Sequence, residues 1–264
     1  MEEQYLEINK KLWNKKVEHH VSSDFYDMPG FLAGNTSLKS IELDLLGDIS
    51  GKTILHLQCH FGQDTISLAR MGAKATGVDF SEAAIEKANE LAGTMKADAG
   101  FICSDIYSLP EVLNEKFDIV FTSYGTIGWL PDLDKWAGVV SHFLKPGGKF
   151  IMVDFHPVVW MFDNEFSKIE YSYFNEKPII ETLTGTYADR DAPLSDVEIG
   201  WNHPSSETLN ALLGKDLTLQ HFGEYNYSPY NCFSQTEEFE PGKFRIKNME
   251  NKIPMVYSIV AGKP

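Results

Sequence analysis

Residues 52–79, KTILHLQCHFGQDTISLARMGAKATGVD, decide the fold. Residues 53–57 form a short apolar run, a helical pattern follows from about Asp64 to Arg70, and residues 73–79 form a second run that ends on a carboxylate. Strand, tight turn, helix and strand in so short a span are a parallel crossover unit. The pattern continues outward with a helix over 82–92, strands at 101–103 and 117–122, a helix over 133–144 and a strand over 149–155. Such alternation predicts an α/β, doubly wound, mostly parallel sheet that takes its ligand outside the carboxyl ends of the strands.

The flanks read differently. Tyr5, Ile8, Leu12 and Trp13 recur at helical spacing among charges, predicting an amphipathic first helix that lies on the main domain. Residues 19–35 read as an aromatic loop carrying Phe25, Tyr26 and Phe31, a lid or a buried plug, and residues 38–46 as a second short helix. Beyond Pro157, residues 169–187 read as two extended runs around 175–178, an antiparallel hairpin inserted near the ligand face. A helix over 205–213 and strands over 217–225 and 255–260 complete the chain, the last two separated by a long loop rich in Glu, Phe and Tyr. The expected organisation is an N-terminal helical cap (1–48), a cofactor-binding core (49–157), and an insertion with the last two strands of the same domain on the substrate side (158–264).

Composition narrows the function. With 264 residues, 43% of them apolar and 12% aromatic, a sizeable core is expected and disorder is excluded. The 38 acidic residues outnumber the 23 basic ones, and the net charge of −15 is spread over both halves. That surface repels nucleic-acid backbones and anionic membranes, so the expected partner is a small molecule, neutral or cationic. Cys59, Cys103 and Cys232 are far apart and form no CxxC pair, which argues against a disulfide framework or zinc ribbon. The first residues lack the basic start and apolar run of a signal peptide, and no stretch approaches the ~18 apolar residues of a membrane span. The expectation is a cytoplasmic monomer or homodimer.

Four strand ends carry ligand-compatible chemistry. After the first come Gln58, His60 and Gly62, in the turn where a nucleotide-like ligand sits. The second ends at Asp79, followed by Phe80 and Ser81; Ser81 is itself a good helix cap, which leaves the carboxylate free to accept ribose hydroxyls. Past the third, Asp105 suits adenine's exocyclic amine and Ile106 its ring face, although Asp in such an exit also commonly closes an Asx-turn. The fourth ends in the hydroxylic run Thr122, Ser123, Tyr124, Gly125 and Thr126.

In order and spacing, Gly62, Asp79 within GVDFS, Asp105 within CSDIYSL, the FDIVFTSYG run and LKPGGKFIMVDF resemble the class I S-adenosylmethionine-dependent methyltransferases. The resemblance covers residues 46–157 well and the later strands in outline. It implies the Rossmann-like methyltransferase fold with a seven-stranded sheet, S-adenosyl-L-methionine as cofactor and S-adenosyl-L-homocysteine as product. It further implies Gly62 against the methionine moiety, Asp79 on the ribose, Phe80 and Ile106 flanking the adenine, Asp105 near its amine, and Thr122 or Ser123 near the methyl sulfonium. The first motif departs from the family. Its usual acidic-x-Gly-x-Gly-x-Gly reads His56, Gln58, His60 and Gly62 here, so Gln58 and His60 must swing aside or contact the cofactor; HLQCHFGQDT resembles a bacterial subgroup.

His156, just past the fifth strand, and Tyr124 are the candidate catalytic groups, with Trp129 and His203 as further substrate contacts. His56, Cys59 and His60 lack a fourth ligand, so no metal is expected. The reading is methyl transfer to an O, N or S nucleophile of a small molecule. The alternatives are a non-catalytic S-adenosylmethionine-binding protein and, less favoured because Gln58 and His60 crowd a pyrophosphate, an NAD-dependent oxidoreductase.

Overall fold

The computed structural model describes residues 2–264. Helix α1 (Glu2–Ser22) buries Asn9, Leu12, Lys16 and His20, three or four positions apart. Its inner stripe is thus more polar than the apolar periodicity implied. Where a loop was expected over 19–35, α1 runs on to Ser22 and a further helix, α2 (Met28–Ala33), forms. Asp27 caps it, Pro29 opens it and Gly34 closes it, a start and stop that local chemistry favours. Helix α3 (Ser40–Leu46) follows.

The core alternates as expected: β1 (Thr53–Leu57), α4 (Gln63–Arg70), β2 (Lys74–Asp79), α5 (Glu82–Met95), β3 (Ala99–Cys103), α6 (Leu109–Val112), β4 (Phe117–Ser123), α7 (Leu133–Phe143) and β5 (Leu144–Phe155). Then come β6 (Ile179–Thr184), β7 (Ser195–Gly200), α8 (Ser205–Leu213), β8 (Thr218–Tyr225), β9 (Thr236–Glu240), β10 (Lys243–Ile246) and β11 (Val256–Gly262). Seven strands form one sheet in the order β3-β2-β1-β4-β5-β11-β8. β11 runs antiparallel to both its neighbours, and the pairs among β1 to β5 are parallel. The order reverses between β1 and β4, the crevice where such sheets bind ligands.

Central strands buried on both faces need apolar residues at successive positions. Leu55, Leu57, Val120, Phe150 and Met152 meet Trp136, Val140 and Phe143 of α7 and Leu212 of α8 on one face. Ile54, Phe121 and Ile151 meet Leu46 and Leu68 on the other. At Gly148 an added Cβ would lie 2.8 Å from the Lys145 carbonyl oxygen, so only glycine lets β5 leave its turn against β4.

Two hairpins lie outside the main sheet. The inserted one pairs β6 with β7, so its connection spans 185–194 rather than 175–178. Of the expected stretch only 179–184 is paired strand; its partner, SDVEIG, carries its own alternation of polar and apolar residues. The second, β9 with β10, occupies the expected long loop and turns at Pro241–Gly242, with Gly242 at φ +70°. Among the described residues no helix is long and apolar enough to cross a membrane.

Candidate active site

The turn from β1 into α4 holds three residues in the left-handed region: Gln58 (φ +55°), His60 (φ +50°) and Gly62 (φ +82°). Gly62 is required twice over, since an added Cβ would also lie 2.6 Å from the Phe101 ring. Gln58 and His60 carry a left-handed cost of roughly 1–2 kcal/mol each, so other contacts must hold them. Gln58 Nε2 donates to the Thr126 carbonyl oxygen at 2.8 Å, and the His60 backbone N–H donates to Asp79 Oδ2 at 2.8 Å. His60 Nε2 lies 2.9 Å from Nδ1 of His20, at the end of α1. Burial keeps His60 uncharged, its pKa pushed down to about 3, and holds His20 far below the ordinary histidine value.

Asp79 closes β2 beneath this turn. Oδ1 accepts from the Ser81 N–H at 2.9 Å and Oδ2 from His60, which leaves lone pairs on both oxygens for two further donors. Burial pushes its carboxyl up to about 6 against the pull of these backbone N–H groups. Ser81 does not face the cavity described below; its hydroxyl caps α5 at Ala84 and donates to Asn14 of α1. Asp105 Oδ1 accepts from the N–H groups of Tyr107 and Ser108, an Asx-turn that leaves Oδ2 available. Phe80 and Ile106 also line the cavity.

Beyond β4 the chain is organised by a residue sequence reasoning missed. Asp154 is buried at the end of β5 and accepts from the backbone N–H groups of Gly125, Thr126 and Ile127 and from the Thr126 hydroxyl. It holds the loop against which Gln58 is anchored. Tyr124, at φ +43°, donates its hydroxyl proton to Glu42 Oε2 at 2.8 Å. Glu42 is fully buried, and desolvation, then the nearby Asp64 charge, pushes its carboxyl up to about 7. Asp64 accepts from Ser37 at 2.6 Å and Ser123 at 3.0 Å. Locally Glu42 reads only as a helix-start residue that accepts from the Lys39 N–H at 3.0 Å; its contact with Tyr124, 82 residues away, has no local signal.

Most of these groups border one cavity of about 720 Å³. Gln58, His60, Gly62, Asp79, Asp105, Ser123 and Tyr124 reach it from the strand ends. Trp13 of α1, Tyr26 and the Tyr187 segment wall it from outside, with the hydroxyls of Tyr26 and Tyr187 hydrogen-bonded to each other. Trp129 and His203 line it too; Trp129 packs edge-on against Trp13, and His203 holds the Leu130 carbonyl oxygen at 2.8 Å. With Ser81, two further candidates fall outside. Thr122 is turned by strand alternation to the face opposite Ser123, fully buried. His156 spends Nε2 on Glu224 at 3.0 Å and Nδ1 on the Val158 N–H at 3.2 Å, with its ring edge-on to Tyr257, so it is a buried tether and not a base facing the cavity. His56 is bound to Thr65 instead of pointing at His60, and among the described residues no group of three or more His, Cys, Asp or Glu is arranged to hold a metal.

The comparisons bear on this geometry. The family model for a methyltransferase domain matches residues 48–189, which include the turn, Asp79, Asp105, Tyr124 and Asp154. The chain belongs to this methyltransferase family. Among curated relatives, this methyltransferase-family chain is 34% identical to phosphoethanolamine N-methyltransferase 1 of Triticum aestivum over 110 residues, 40% of this chain and 22% of that one. It is 32% identical to the ubiquinone biosynthesis O-methyltransferase of Coxiella burnetii over 121 residues, 46% of this chain and 50% of that one. The matched part thus spans half or less of these relatives' length. Among solved structures, an S-adenosylmethionine-dependent methyltransferase from Mesorhizobium loti superposes with a TM-score of 0.56 at 18% identity, covering 88% of this chain and all of the other. The geranyl diphosphate C-methyltransferase of Streptomyces coelicolor A3(2) superposes with a TM-score of 0.56 at 17% identity, covering 84% and 76%. Both share the fold.

Proposed function

We propose that the chain transfers a methyl group from S-adenosyl-L-methionine to an O, N or S nucleophile of a small molecule, leaving S-adenosyl-L-homocysteine. The observation that carries this is the convergence of Gln58, Asp79, Asp105 and Ser123, from four successive strand ends, on one cavity. The donor set suits the cofactor. Asp79 keeps a lone pair on each oxygen for the two ribose hydroxyls, Asp105 Oδ2 is left for adenine's amine, and Phe80 and Ile106 border the same cavity and offer apolar surface to the ring. When bound, the cofactor supplies an already electrophilic sulfonium methyl, so alignment and exclusion of water dominate the work of the protein.

This chain's residues provide both. Tyr26, Tyr187 and Trp13 close the outer wall, and the 1–48 cap, the 49–157 core and the 158–264 segment divide the roles of lid, cofactor site and substrate side. Tyr124 lines the cavity and donates to Glu42, so it can pass its own proton to the Glu42 carboxylate as it takes the one leaving the acceptor. The curated relatives act, by name, on phosphoethanolamine and in ubiquinone biosynthesis, which supports a small acceptor. An acidic chain of net charge −15 suits a neutral or cationic one, used in the cytoplasm by a monomer or homodimer.

A second reading, cofactor binding without transfer, draws on the Gln58 amide, whose bond to the Thr126 carbonyl occupies space that the family's glycine leaves open. Incubation with methyl-tritiated S-adenosylmethionine and a panel of amines, phenols and thiols separates the two. Transfer of tritium to an acceptor, matched by formation of S-adenosylhomocysteine, is expected. Tight binding with no turnover across the panel would replace the transferase with a binding protein.

A further inference from the structure

We propose that Asp64 is the counter-ion of a protonated amine, which makes a primary or secondary amine the acceptor class of this cavity and its nitrogen the attacking atom. The inference rests on the reading of the cavity as a methyl-transfer site and narrows its O, N or S nucleophile to one.

Asp64 stands in the first turn of α4 and borders the cavity. Ser37 donates to Oδ1 and Ser123 to Oδ2, neutral hydroxyls that fix the carboxylate and leave a lone pair on each oxygen. Among the described residues it has no ion-pair partner. His56 feels the Asp64 charge, yet burial keeps its ring neutral, with its pKa pushed down to about 4. Lys39 also borders the cavity, but its ammonium is held over the Tyr230 ring at 4.8 Å and makes no ion pair with Asp64. A carboxylate beside a ring-walled chamber, with its charge unmatched, favours a cation that arrives as ligand.

Tyr230 is the second, independent mark. Its ring borders the cavity, stacked on Phe25 at 5.6 Å and edge-on to Tyr124 at 4.9 Å. Its hydroxyl has no hydrogen-bond partner among the described residues and, unlike that of Tyr257, stays open to a water-sized molecule. Burial first and the Asp64 charge second push up both this hydroxyl and the Glu42 carboxyl, so one field reaches all three groups. An ammonium has donors enough for Asp64 and for the Tyr230 oxygen together. An alcohol leaves the Asp64 charge unmatched, and a carboxylate is repelled by it.

Nitrogen attacks only as the free amine, and the chain holds the base for it. Tyr124 follows Ser123 at the end of β4 and donates to Glu42. As the ammonium proton passes to the Tyr124 oxygen, the Tyr124 proton passes to the Glu42 carboxylate. The freed lone pair forms the N–C bond while the electrons of the C–S bond stay on sulfur, giving an N-methylammonium and S-adenosylhomocysteine. Asp64 holds the amine without exchanging a proton with it.

Calorimetry on the full chain at pH 7 tests this. S-adenosylhomocysteine is titrated first; its complex is then titrated with 2-phenylethylamine and butylamine, with the alcohols of the same skeletons, and with 3-phenylpropionate. At least one amine is expected to bind about tenfold tighter than its alcohol, and the carboxylate weakest of all. Asp64→Asn, which keeps the shape and removes the charge, is expected to lose about tenfold for the amine while its affinity for the alcohol and for S-adenosylhomocysteine is unchanged. Tyr230→Phe removes only an unpartnered hydroxyl, so its thermal unfolding should match wild type while it loses about threefold for the amine. An alcohol or carboxylate that binds as tightly as the amine overturns the proposal, as does a complex that takes neither amine or an amine affinity that survives Asp64→Asn. Where Asp64→Asn fails to fold, Tyr230→Phe decides, and an unchanged amine affinity overturns the proposal. A wild type that does not bind S-adenosylhomocysteine overturns the cofactor reading instead, before any amine is added.

Discussion

Burying Glu42 beneath Tyr124 places a carboxyl where its charged form is disfavoured, and the sign of the consequence can be worked out. Its folded value of about 7 lies above the ordinary 4.5, so the fold takes up the proton before the unfolded chain does. The stabilisation this gives is complete below pH 4.5 and is lost as pH rises to about 7. Glu42→Gln removes the titration, so the stability of the variant relative to wild type should climb across that window by up to about 3 kcal/mol and then level off. Urea unfolding at pH 4.5, 6 and 8 measures it; a difference independent of pH contradicts the burial argument. Gly62→Ala should cost about 2–3 kcal/mol, from the left-handed φ and the Phe101 ring together, also read by urea unfolding. The position of Asp79 was legible because strand periodicity fixes where a strand ends. Glu42 and Asp154 were not, because their roles exist only once residues 82 and 28 positions away fold against them. His156 was misassigned for a related reason: its place after β5 was right, but its neighbour Glu224 is on a strand 68 residues on.

Helix α1 is the element whose attachment matters most. Asn9 pairs with the backbone of Ile199 in both directions, at 2.7 and 3.0 Å, and so caps the free edge of β7. Asn14 accepts from Ser81 and from the Ala83 N–H at the start of α5. Asn9→Ala removes two hydrogen bonds at the β7 end, and limited proteolysis should then cut the segment after α1 about fivefold faster or more. An unchanged rate would mean that the aromatic contacts alone hold the helix. The existence of α1 was visible in its spacing, but its inward polar stripe was hidden, since periodicity reports apolar faces. The β9–β10 hairpin was announced by Pro241–Gly242 between alternating residues, and went unseen under the acidic composition of that stretch.

Across the whole molecule, the sheet order, the reversal between β1 and β4 and the cavity above it form one arrangement, with helices on both faces supplying the rigidity. The outer wall comes from segments distant in sequence: α1, the Tyr26 turn and the Tyr187 connection. Ligand binding should therefore tie the N-terminal cap to the core, and saturating S-adenosylhomocysteine is expected to slow cleavage after α1 in the same proteolysis experiment. A cap as sensitive as before would remove its role as a lid. The central claim, that the strand ends build an S-adenosylmethionine site anchored by Asp79, is tested most directly by calorimetric titration of S-adenosylhomocysteine into wild type and Asp79→Ala, with NADH as the control. The account predicts micromolar binding to wild type, loss of at least about thirtyfold on substitution, and no heat from NADH. Binding that survives the loss of Asp79, or that NADH reproduces, would contradict it.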